Sequence, residues 1–155
     1  MRLSRQNKVS LVILLTAFAP LTYWGRMEGC DYPSHFNLLT GVPDNMGDRY
    51  NLLFLLGFAV VVYILMVLCC RYPNLMNYPA AVTDKNKQTL FPLGVHLAHR
   101  MNILLMMVFS LNTNCASLIA IGVIGKFPVY LMWISLLYLL IEVIRFVIRV
   151  RKAVR

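Results

Sequence analysis

NLLFLLGFAVVVYILMVLCC, residues 51–70, decides how the rest of the chain is read. No charge interrupts it, and Gly57, Ala59 and Tyr63 are its only small or polar interior positions. As a helix rising about 1.5 Å per residue it reaches about 30 Å, the thickness of a bilayer's hydrocarbon core. Such a run dissolves in lipid rather than in water. The composition agrees: 59% of the 155 residues are hydrophobic and 14% charged, against roughly 45–50% and 25% in a soluble domain.

Three further apolar runs flank it, so spans are expected at about 9–24, 51–70, 101–121 and 129–148. The expected fold is an all-α membrane protein, a single integral domain over 1–155, built as an antiparallel bundle of four transmembrane helices. The first run follows Arg2, Arg5 and Lys8, and Ala17-Phe18-Ala19 also resembles a cleavage site that would remove residues 1–19. Pro20 would then begin the mature chain, a poor fit, so a retained helix loosened near Pro20 is the preferred reading. The third run contains Asn112-Thr113-Asn114. Split there, each half is too short to cross, so one helix is expected. Gly122 to Lys126 reads as a tight turn, and Pro128 opens the fourth helix.

The net charge is +9, from 15 Lys+Arg and 6 Asp+Glu. The basic residues lie beside the apolar runs and form no soluble basic face, so nucleic acid is not an expected partner and the lipid bilayer is. Arg2, Arg5, Lys8, Arg71, Lys85, Lys87, Arg100, Arg145, Arg149, Arg151, Lys152 and Arg155 fall on one side. Arg26, Arg49 and Lys126 fall on the other. A bias of twelve to three places both termini in the cytoplasm and the loop of residues 25–50 outside.

That loop is net acidic, with Glu28, Asp31, Asp44 and Asp48. Within it, Gly41-Val42-Pro43-Asp44 is turn chemistry, and Phe36, Leu38 and Leu39 supply an apolar side. An ordered extracytoplasmic cap is expected, in which His35 and Asn37 satisfy turn backbone. Its functional alternative is a ligand-binding surface made by His35, Phe36, Asn37, Gly41, Pro43 and Asp44. On the opposite side, Tyr72-Pro73 and Tyr78-Pro79 are turns. Thr83 reads as an N-cap with Asp84 in the first turn, and Pro92 should kink or restart the helix that follows. His96, His99 and Arg100 read as an interfacial polar turn.

Inside the apolar runs, Asn112, Asn114 and Glu142 stand out. The amides should face other helices, with Thr16, Tyr63, Ser135 or Tyr138 as partners. Glu142 should pair with Arg145, three residues on. No nucleophile, acid and base converge, and no metal-ligand spacing is present, so neither catalytic residues nor a metal or other cofactor is expected.

Pro33-Ser34-His35-Phe36-Asn37 with Gly41 and Pro43-Asp44, set between a first and a second span, resembles the signature of a bacterial membrane family of unknown function. Its domain also forms the front part of SdpI-type immunity proteins. Asn77-Tyr78-Pro79 and Thr83-Asp84-Lys85-Asn86-Lys87 are similar to a segment of four-span members. The resemblance implies a multi-pass protein of the bacterial inner membrane. The expected function is non-enzymatic: a sensor or immunity-like protein that binds a peptide or protein outside the cell. The alternative is a small oligomeric transporter or channel subunit, which would require a homo-oligomer.

Overall fold

The structure, a computed structural model, describes residues 4–154. Arg2 and Arg155 of the basic tally lie outside the described residues. Helix α1 runs Arg5–Thr16, with the Ser4 hydroxyl accepting from the Asn7 N–H at 3.1 Å as N-cap. Pro20 has no N–H and its ring would crowd the carbonyl of Thr16, so the α-helix stops there. The chain tightens into a 3-10 segment over Ala19–Met27, bent at Tyr23. Helix α2 is Tyr50–Arg71; its buried positions Leu52, Leu56, Ala59, Tyr63 and Val67 recur every three or four residues, one face of a helix.

Helix α3, Lys87–Ala120, is 34 residues long, and its start departs from expectation. It begins after Asn86 rather than Thr83. Thr83 instead donates its N–H to the Asn86 side chain at 2.7 Å, and Asp84 pairs with Lys87. It also continues through Pro92 without a break. Pro92 sits in the second turn with an exposed side, and the carbonyl it leaves unpaired belongs to exposed Gln88, where water can serve it. Asn112-Thr113-Asn114 lie within this single helix. At Gly122, φ is 74° and the turn closes through Val123 N–H to Leu118 O at 2.8 Å. Helix α4 is Val129–Val154.

The four helical stretches Arg5–Met27, Tyr50–Arg71, Lys87–Ala120 and Val129–Val154 are each long and apolar enough to cross a membrane. They do not close symmetrically. Helix α3 is central and packs against α1, α2 and α4, whereas α4 makes its substantial helix contacts with α3 alone. A cleft therefore stays open between α1 and α4.

The elements are mostly helical, as expected, and the exception lies in the loop that was expected to be ordered. The loop between α1 and α2 forms an antiparallel hairpin, β1 Tyr32–Phe36 and β2 Pro43–Gly47, with Tyr32 opposite Gly47 and Phe36 opposite Pro43. Tyr32 and Phe36 are both buried, with exposed Ser34 and His35 between them where the strand pairing shifts register. They join Ala17, Met27, Leu52, Leu56, Ala116 and Phe127 in one core cluster at the ends of the helices.

Candidate functional site

Two places gather polar chemistry. The first is the hairpin. Its turn is built by Asn37, whose Oδ1 accepts from the N–H groups of Leu39 (2.9 Å) and Thr40 (3.1 Å). Gly41 follows at φ 72°, and a Cβ there would fall 2.2 Å from the Phe127 carbonyl oxygen, so only glycine fits. The Gly41 carbonyl accepts from Phe127 N–H at 2.8 Å, Trp133 Nε1–H donates to the Leu38 carbonyl at 3.0 Å, and the Phe36 and Phe127 rings stack 4.8 Å apart. The hairpin is thus clamped onto the α3–α4 turn and the head of α4. His35 faces away, its side chain 63% exposed, with Nδ1 2.5 Å from Asp44 Oδ1. It serves a cross-strand side-chain pair, not turn backbone. Leu39 is 85% exposed and Met46 46%. Beneath, Tyr32 is 2% exposed and its hydroxyl has no hydrogen-bond partner among the described residues; burial pushes its pKa up to about 12.

The second place lies at the other end of the helices. Asn7, Ser10, Tyr63, His99 and Asn102 bury a hydrogen-bond network between α1, α2 and α3. Tyr63 donates to the Asn7 carbonyl (3.0 Å), Asn102 Nδ2–H to Ser10 Oγ (3.0 Å), and Asn7 Oδ1 meets His99 Nδ1 at 3.0 Å. Cys70 Sγ lies 3.3 Å from the same His99 nitrogen, so the Nδ1 edge of the ring is spent inside the network. One turn away, Glu142 is buried to 6% and accepts from Arg145 (3.0 Å) and, across helices, from Arg100 (2.8 Å). Arg100 also donates to the Tyr138 hydroxyl and to His96 Nε2. Two guanidinium groups on one carboxylate offset its desolvation.

Of the polar residues expected inside the spans, Asn114 donates to the Thr16 carbonyl at 3.0 Å, an interhelical bond with a foreseen partner. Thr16 and Ser110 hydroxyls also pair at 2.7 Å. Asn112 takes no part in that group. Tyr63, Ser135 and Tyr138 bond elsewhere: Asn7, the Leu131 carbonyl and Arg100. The expected Glu142–Arg145 pair is present, and Arg100 was missed as its partner. The buried network was also missed, although Asn7/Ser10 and His99/Asn102 each have the i, i+3 spacing that puts a polar pair on one helix face. No three His, Cys, Asp or Glu side chains gather as a metal site among the described residues. No protein-family model, curated protein or solved structure matches the chain. The functional reading therefore rests on these two places and their chemistry.

Proposed function

We propose that the chain is a non-enzymatic multi-pass protein of the bacterial inner membrane that receives a peptide or protein ligand on its outer hairpin, as a sensor or immunity-like protein does. Both termini are cytoplasmic in this reading, following the charge bias. One observation carries it: the hairpin is held against the helix ends at Leu38, Gly41 and Phe36, yet presents His35, Asp44, Leu39 and Met46 outward. A rigid, exposed loop with mixed apolar and ionisable groups loses little entropy on binding. The resemblance of the same stretch to the SdpI-type front domain supports it further.

A photo-crosslinking residue at position 35 in intact cells tests the reading. It should yield a discrete polypeptide adduct that Asp44→Ala strongly reduces while membrane accumulation stays unchanged. Lipid adducts alone, or none, would count against it. Reporter fusions at each end test the orientation. A second reading, an oligomeric transporter or channel subunit, draws on Asn112, Asn114 and Glu142 inside the apolar helices. The bonds that hold Asn114 to Thr16 and Glu142 to two arginines make it the weaker reading, and a liposome flux assay with Asn114→Leu and Glu142→Gln would decide it.

A further inference from the structure

The open side of α3, between α1 and α4, holds a cavity of about 570 Å³. That lies within the roughly 300–1,000 Å³ of small-molecule sites. Its polarity is graded. At the end bearing the basic residues, Gln6, His96, His99, Arg100 and Tyr138 line it. Further along, α3 contributes Ile103, Leu104 and Met107, and α4 contributes Ile134 and Ser135, whose hydroxyl is taken up by the Leu131 carbonyl at 2.7 Å. From His96 to Met107 the gradient extends about 16 Å along the helix axis. A water-soluble ion would leave the apolar half unfilled, and an apolar helix would bury the charged half against nothing.

The charged half has capacity to spare. Arg100 spends Nε and Nη1 on His96, Tyr138 and Glu142, but its Nη2 has no hydrogen-bond partner among the described residues. His99 lines the same wall, its Nδ1 held by Asn7 and Cys70. Arg145 and Arg149 line the adjoining surface beside Glu142, leaving this region net positive.

We infer that this cleft binds an anionic phospholipid of the cytoplasmic leaflet, its phosphate on Arg100 Nη2 and one acyl chain along Leu104, Met107 and Ile134. The site is separate from the hairpin. It does rest on the membrane placement proposed above, which carbonate extraction of the expressed chain tests on its own.

The binding test is native mass spectrometry of the full chain released from nanodiscs of mixed phosphatidylglycerol and phosphatidylcholine. One phosphatidylglycerol should be retained in preference. Arg100→Gln should lower that retention by roughly tenfold, about the weight of one charge-assisted bond. Met107→Trp should do so too, by filling the apolar end while the Arg100–Glu142 pair stays intact. Circular dichroism of both variants guards against misfolding. Equal retention of the two lipids would overturn the inference. So would retention unaffected by Met107→Trp, or full displacement by millimolar glycerol phosphate, which would mark a headgroup-only anion site. Displacement of lipid by a second copy of the chain would overturn it as well.

Discussion

Gly41 shows how little room the docked hairpin leaves. Its positive φ and the Phe127 carbonyl 2.2 Å from where a Cβ would sit both exclude a side chain. Gly41→Ala should cost about 1–3 kcal/mol from backbone strain alone, read as a lowered melting temperature in detergent. Tyr32 makes a second residue-scale case. Its folded pKa, about 12, lies above the ordinary value of 10.0. The folded state therefore holds the proton more tightly than the unfolded chain. That stability is fully present below pH of about 10 and is lost as pH rises toward 12. Alkaline titration followed by hydrogen exchange should show the hairpin loosening over that window, and Tyr32→Phe should remove most of the pH dependence. A protein whose hairpin opens at the same pH with Phe at position 32 would contradict this account.

Elements differ in how far the sequence reveals them. The apolar helices were legible because a long uncharged run is a local property, visible in residues 51–70 without knowledge of any neighbour. The hairpin was legible only as an ordered loop. Its two strands are five residues each, one carries Pro33 and the other Pro43, and its apolar side amounts to Tyr32 and Phe36. What fixes it is the docking onto Phe127 and Trp133, some ninety residues later in the chain. That α3 continues past Pro92 without restarting was hidden for a related reason: a proline's effect depends on whether solvent reaches the carbonyl it orphans. Phe36→Ala should cost about 3–5 kcal/mol. Hydrogen exchange should rise over residues 32–47 and leave α2 protected. Loss of protection throughout would mean that the hairpin is needed for the helices to pack at all.

For the molecule as a whole, α4 is the least embraced helix and depends on a few fixed points. Glu142 was foreseen with its neighbour Arg145, but not with Arg100, because a partner forty-two residues away leaves no mark on local spacing. Arg100→Gln or Arg145→Gln alone should be mild, since the carboxylate keeps one partner. Both together strand a buried charge and should cost about 3–5 kcal/mol, more than the sum of the two. Unfolding in mixed detergent and dodecyl sulfate would measure that excess; strict additivity would show that the two arginines act separately. The Trp133–Leu38 bond then has a mechanical consequence. It fastens α4 near one end, and the Arg100–Glu142 pair sits about 13 Å further along the same axis. Tyr138 lies between these two fixed points, about 8 Å along the axis from Trp133, so a displacement of the hairpin is carried by α4 directly to the wall of the cleft.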